Sequence, residues 1–437
     1  MFKDGIMFVL LLMIFTCIGY ASSETCLINT ELNDPNENVE QQPIIYNYKR
    51  RAENSPHFVY PPNYSDKDDC ICMQPSRCRI HLACPGSYVN LYKNSGDTSF
   101  CNKLRTTFMT NYDILRKFDL HNCEAGLESG YNVRCEGNIT AVMKSLESRK
   151  RTEFIKFYAV GFELNLVDFL STYYIMFDPR DSRAFPLAHS KIISIVEKRQ
   201  KYDTDHDYNF GLIYQQKTVN FTDIYSKEQQ MFEFERQIQN KSVIDKYFSN
   251  GNYLVRGQLI SKDDFYYVSQ QKTTAFYENT VPIWHSINDG NWKLIGQIVR
   301  KLADNSLSNF NIFVAPVNYF HIGDREIVLE SEKNLAPAHP VYIPEIIVKV
   351  AVDSTDITRG VVFHTVNDPY TTVENVSGFK LPDKRTLCES YMNCHDNHPE
   401  FSNVTRGLTF CCTLQNSNVW EIVKEIFHPN LKFNMMI

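Results

Sequence analysis

Glycine and proline are scarce, 17 and 18 in 437 residues, which excludes collagen-like and low-complexity architectures. There is no basic excess: 45 Lys and Arg stand against 51 Asp and Glu, a formal charge of −6. That balance argues against a globally basic nucleic-acid coat protein and leaves room for a local basic groove. No repeat with a period of 20–50 residues is present, so a solenoid or propeller is not expected. Past the first two dozen residues, no stretch approaches the ~18 apolar residues of a membrane-spanning helix. Cysteine is missing from 136–387, and CxxC-type pairs are missing throughout, which argues against a structural zinc site.

What is present points to an exported, folded chain. Hydrophobic residues make up 43%, enough for a packed core, and the length suggests two or three domains. The 25 Tyr and 29 Phe suit strand-rich structure or a stacking surface. Lys3, the apolar stretch Ile6 to Ile18 and the small residues Ala21-Ser22-Ser23 together read as a secretory signal over 1–23. A 13-residue helix rises only about 20 Å, too short for a ~30 Å hydrocarbon core. Loss of Cys17 with that signal leaves twelve cysteines in two even groups. Eight are early (Cys26, Cys70, Cys72, Cys78, Cys84, Cys101, Cys123, Cys135) and four late (Cys388, Cys394, Cys411, Cys412). Two local disulfide sets are expected, with pairings open. Sequons at Asn63, Asn138, Asn220, Asn240, Asn375 and Asn403 are expected on the surface.

Three segments follow: the signal, a disulfide-rich β module over 24–145, and a cysteine-poor body over 146–437 entered through the charged run Glu147 to Arg151. Strands are expected at Phe154–Val160, Tyr173–Phe177, Phe310–Val317, Ile343–Val352 and Val361–Thr365. Residues 227–249 read as helical. A clearer helix carries Trp292, Ile295, Val299 and Leu302 on one apolar stripe, with Asn288 or Asn291 placed to cap it. Strands and helices do not alternate as βαβ units, so the class is α+β with mostly antiparallel sheet.

The informative windows are Asn252 to Leu259 (NYLVRGQL), Phe276 to Trp284 (FYENTVPIW) and Ile287 to Trp292 (INDGNW). In order and spacing they resemble the DNA/RNA non-specific endonuclease family, whose D-R-G-H motif is followed by N-x-x-P-Q and then N-x-G-x-W leading into a helix. The resemblance runs from roughly 150 to the C-terminus. Tyr342–Glu345, Asn367–Tyr370, Gly407–Cys412 and the cysteine-dense N-terminal module resemble secreted insect members, the nucleic-acid-binding salivary proteins of tsetse flies among them. It implies a ββα-metal-type core, a Mg²⁺ held by the Asn at the helix start, a histidine general base and phosphate-facing arginines. Position by position, Arg256 and Gly257 match the first motif, Asn279 and Pro282 the second, Asn288 the metal ligand and Arg300 a phosphate-facing arginine.

The departures bear on turnover. Val255 stands for the motif Asp, Gln258 for the histidine, Ile283 for the Gln, and Gly296 for the Glu that holds the metal's water. A carboxamide has no pKa near neutrality and cannot act as a general base. The expectation is therefore a secreted protein that binds DNA or RNA through the phosphate backbone with little hydrolysis, Mg²⁺ binding being weakened. The alternative is a weakly active metal-dependent endonuclease. His285 is the nearest histidine in sequence to Asn288. Trp284 is a candidate stacking residue, Trp292 a core one, and Lys191, Lys198, Arg199 and Lys201 could extend a basic groove.

Overall fold

The computed structural model describes residues 155–427 apart from 165–167, 182, 202–206, 215–219, 331–339, 373–379 and 382. Upstream it describes 26–29, 44–48, 56–60, 70–72, 79–86, 89–93, 116–119, 131–135 and 137–146. Ten strands frame the body: β1 (Val142–Leu146), β2 (Lys156–Glu163), β3 (Phe169–Phe177), β4 (Leu187–Ile192), β5 (Leu254–Gln258), β6 (Thr280–Trp284), β7 (Phe310–Tyr319), β8 (Pro344–Asp353), β9 (Gly360–Val366) and β10 (Thr409–Thr413). Eight of them form one sheet in the order β10-β9-β8-β7-β4-β3-β2-β1, every neighbouring pair antiparallel.

That order is a meander interrupted once, between β4 and β7. The interruption carries the separate β5–β6 hairpin and the helices α1 (Lys227–Ile238), α2 (Lys241–Tyr247) and α3 (Lys293–Ser306); α4 (Asn418–Phe427) closes the described chain. The expected helix at 227–249 divides into α1 and α2 because Gln239 takes a left-handed conformation (φ 55°) that ends the first helix.

The sheet is covered on both faces. Ile295, Val299 and Ala303 of α3 pack with Trp284, Trp292, Val160, Tyr173, Ile312 and Ile347 on one side. On the other, Val419 and Val423 of α4 meet Phe313, Ile346, Val348, Val350 and Val362. Burial on both faces explains why β8 is apolar at nearly every position, with Lys349 as its one basic residue. Full burial of Ile295 and Val299 stabilises by roughly 1.5–3 kcal/mol each.

The large sheet begins a few residues upstream of the expected boundary at 145/146. β1 pairs with β2 from Val142 to Leu146, and Met143 lies in the main core, so the sheet begins at Val142. In the sequence the charged run Glu147 to Arg151 lies between those two paired strands. Upstream of Val142, the described secondary structure is all strand, including a four-stranded sheet of Pro56–Phe58, Ile44–Tyr48, Arg79–Ala83 and Arg116–Asp119. This module packs on the body: Ile44, Tyr46 and Ala83 bury against Phe162, Leu164 and Leu170. Tyr60 stacks on Tyr267 at 5.6 Å, and its hydroxyl accepts from Gln270 Nε2 at 2.9 Å.

Disulfides are local, as expected: Cys84–Cys135 early, Cys388–Cys412 and Cys394–Cys411 late. The side chains of the other early cysteines lie outside the described residues. Asn138, Asn220, Asn240 and Asn403 are all exposed; Asn63 and Asn375 fall outside the description.

Candidate functional site

Strand alternation puts Arg256 and Gln258 on the same side of the β5–β6 hairpin. Between them, Gly257 leaves room for Ile283, whose Cδ1 would lie 2.1 Å from any added Cβ. Arg256 is exposed and its guanidinium lies over the rings of Tyr208 (4.8 Å) and Tyr225 (5.8 Å). Stacking fixes the guanidinium plane and leaves its N–H edges to donate outward, which suits a phosphate.

Gln258 is half-buried and held in place. Its Nε2 donates to Thr274 Oγ1 at 3.2 Å, with the Tyr208 hydroxyl at 3.4 Å. Its Oε1 accepts from the Lys262 backbone N–H at 3.2 Å. The Tyr208 hydroxyl thus lies against the carboxamide as an acceptor of its N–H.

Helix geometry corrects the capping expectation. A helical turn begins already at His285–Ile287 and continues through a π-helical segment, Asn288–Trp292, into α3. Asn288 therefore sits inside the turn, half-buried, and caps nothing. Gly290 is required here because a Cβ would stand 2.6 Å from the Arg406 carbonyl oxygen. Asn291 is buried, its amide donating to the Glu400 and Gly407 carbonyls at 2.8 and 2.7 Å. Trp292 Nε1 donates to the Gln258 carbonyl at 3.2 Å, which brings the third motif onto the end of the first.

Two expected site residues turn out to be structural. Asn279 is fully buried; its Oδ1 accepts from Ile260 N (2.9 Å) and its Nδ2 donates to the Ile260 and Thr274 carbonyls (2.8 and 3.0 Å). It clamps the loop after Gln258 and has no surface to offer a substrate. Arg300 is 3% exposed and donates to buried Asp264 at 2.8 Å, with Glu197 and Asp263 at 3.6 and 3.8 Å. It faces carboxylates, not solvent, because α3 turns that side toward the 262–264 turn.

Beside this pair, Lys349 Nζ lies 4.7 Å from the Trp292 ring centre. Burial lowers its pKa, Asp264 works against that shift and Arg300 adds to it. Glu278 accepts from Gly211 N (2.9 Å) and Tyr214 N (3.0 Å); burial raises its pKa, those N–H groups opposing. Tyr208, Thr274, Asp264 and Lys349 are absent from the motif reading. Lys349 alone left a signal in the sequence, as a single basic residue inside a long apolar run.

The remaining candidates fall away from Gln258. Trp284 is fully buried and no base can stack on it. His285 is exposed, stacks on Tyr253 at 5.9 Å and faces Asp289 at 3.4 Å. It follows the Leu254↔Trp284 end of the hairpin, whereas Gln258 pairs with Thr280 at the other, about 13 Å away along the strand. We expect His285→Ala to change neither nucleic-acid affinity nor any nicking by more than about twofold, within the range of a surface substitution; a large loss of metal-dependent nicking would make His285 the base. Lys198 and Lys201 are exposed, but Arg199 pairs with Glu197 and Asp263, so that run does not form a groove of one sign.

The donors fit a divalent cation poorly. No described residue hydrogen-bonds the Asn288 amide, so one neutral oxygen is open, but position 296 lacks its carboxylate. Instead Arg300 Nη1 lies 3.2 Å from where a Cβ on Gly296 would be, a positive group where the family places a negative one. Among the described residues the one other ligand-type group, His364 with Cys388 and Cys412, has both cysteines in a disulfide.

Comparison with known proteins agrees with the motif order. The model of the DNA/RNA non-specific endonuclease family matches residues 156–417. The chain is 24% identical over 346 residues to salivary protein Tsal2A of Glossina morsitans morsitans, covering 78% of this chain and 79% of that one. Tsal1 of the same fly matches at 24% over 347 residues, with the same coverage. A salivary endonuclease of Lutzomyia longipalpis matches at 26% over 270 residues, 60% of this chain and 59% of the relative.

Proposed function

The chain belongs to the DNA/RNA non-specific endonuclease family, and from that premise we propose that it is an exported protein which holds nucleic acid by its phosphates and hydrolyses it slowly or not at all. The observation that carries this reading is Gln258: the general-base position holds a carboxamide, tied to Thr274, Tyr208 and Lys262, that cannot take a proton from water. Loss of a positioned base costs about 10²–10⁴-fold in rate. Loss of the Glu at 296 costs a further ~10- to 100-fold in metal affinity or activity.

Binding needs less. The exposed, ring-stacked Arg256 supplies an oriented cation, and phosphate recognition is indifferent to base sequence. The salivary relatives and the signal-like start at 1–23 support export, and no helix among the described residues is long and apolar enough to cross a membrane.

The test is a binding titration of mixed-sequence DNA and RNA across salt, with EDTA or Mg²⁺. Affinity should fall linearly in log–log form and be unchanged by EDTA, and in Arg256→Gln the slope should become shallower by about 0.7–0.9, the share of one phosphate contact. Binding that vanishes with EDTA, or none at ~20 mM salt where phosphate contacts are strongest, contradicts the proposal. The open amide of Asn288 favours the alternative of weak metal-dependent nicking; in that case Asn288→Ala abolishes it.

A further inference from the structure

Trp284, the candidate stacking residue of the sequence, is in the core, yet the structure carries an exposed aromatic joined to Arg256 through packed rings. Phe210 is 47% exposed. Its ring packs on Tyr277 at 4.8 Å and on Phe221 at 5.8 Å. Tyr277 in turn contacts Tyr208 at 5.4 Å, the ring under the Arg256 guanidinium. The loop that presents Phe210 is pinned on either side of it: Asn209 bridges to Phe276, and Gly211 N–H donates to the buried Glu278 carboxylate. Phe210 is therefore a backed, fixed ring, linked through Tyr277 and Tyr208 to an oriented cation, not a loose apolar side chain.

We propose that Phe210 is a base-stacking platform and that this surface takes single-stranded or locally unpaired nucleic acid in preference to duplex. The inference rests on the nucleic-acid reading above and extends it to the strandedness of the ligand. A phosphate on the Arg256 edge directs neighbouring nucleotides of the same strand toward the exposed Phe210 ring, which the buried Tyr277 backs. An unpaired base offers a π-face to it; a paired base inside a duplex has both faces covered by its neighbours. The same arrangement accepts any base, since stacking uses no hydrogen-bond code.

The test compares fluorescence-anisotropy titrations of a labelled single strand and of its duplex with the full-length protein and three variants at position 210. Phe210→Ala should lose about 5- to 100-fold in affinity for the single strand, the range for removing one stacked base, and about twofold or less for the duplex. Phe210→Leu keeps the apolar packing without a π-face and should behave like Ala, which separates stacking from loss of fold. Phe210→Trp should restore affinity, and its exposed indole should be quenched as the strand binds, beyond any change in the unaltered chain, whose Trp284 and Trp292 are buried and Trp420 half-buried. Equal losses on both ligands, no loss in Ala, or an unquenched indole in a bound complex overturns the platform and leaves the function intact. If the unaltered chain binds neither ligand, platform and function fall together.

Discussion

Replacing Gln258 by histidine together with Gly296 by glutamate is expected to raise Mg²⁺-dependent nicking of supercoiled plasmid by at least about 10²-fold. The imidazole would stand at the end of β5, where the Lys262 N–H, the Thr274 hydroxyl and the Tyr208 hydroxyl already surround the side chain. Those partners orient a ring nitrogen without charging it. Glutamate at 296 meets Arg300 Nη1, 3.2 Å from its Cβ position. That guanidinium can hold the carboxylate as outer-shell partners hold metal-ligating groups. Neither change alone should suffice. Histidine without the carboxylate leaves the cation weakly held, and glutamate without histidine leaves the water protonated. A folded, DNA-binding double variant that stays inert in Mg²⁺ would place the lesion elsewhere.

The second large effect is on stability. Asp264→Asn should cost about 3 kcal/mol and lower the melting midpoint by roughly 6–12 °C. Arg300 and Asp264 are both buried and joined at 2.8 Å, so neutralising one leaves the other charged and undersolvated. The cost belongs at the low end of the usual 3–5 kcal/mol for a broken buried pair, because Glu197 and Asp263 still stand at 3.6 and 3.8 Å. Replacing both, as Asp264→Leu with Arg300→Met, should recover most of the loss. Thermal melts check this. If Arg300 were the phosphate contact its motif position implies, Asp264→Asn would instead leave stability nearly unchanged and strengthen DNA binding.

Arg300 also marks where sequence reading stops. The motif supplies the residue type at each position but not its surroundings; Asp264 lies 36 residues upstream, a pairing no local period encodes. Asn279 is ambiguous in the sequence for the same reason, since a motif asparagine can serve substrate or backbone, and here it is buried on backbone partners. What was legible had a local physical cause. The stripe Ile295–Val299 fixed α3 and its buried face, and the apolar run broken only by Lys349 marked the strand β8. The late cysteines, with no other cysteine over 136–387, read most simply as a local set, and the structure pairs them so. The helix start was displaced by one turn because the π-helical segment around Gly290 depends on the approach of Arg406, which is distant in the sequence. Phe210 carried no signal: one phenylalanine among 29 becomes distinctive only when its exposure is known.

The most direct test puts saturated protein–plasmid complex into Mg²⁺ and follows supercoiled, nicked and linear DNA over hours, with complex formation read on the same sample. The account predicts that the plasmid stays bound and supercoiled, and that adding EDTA changes neither. Complete conversion within minutes at substoichiometric protein would contradict it, and would mean that some group other than the carboxamide at 258 activates the water.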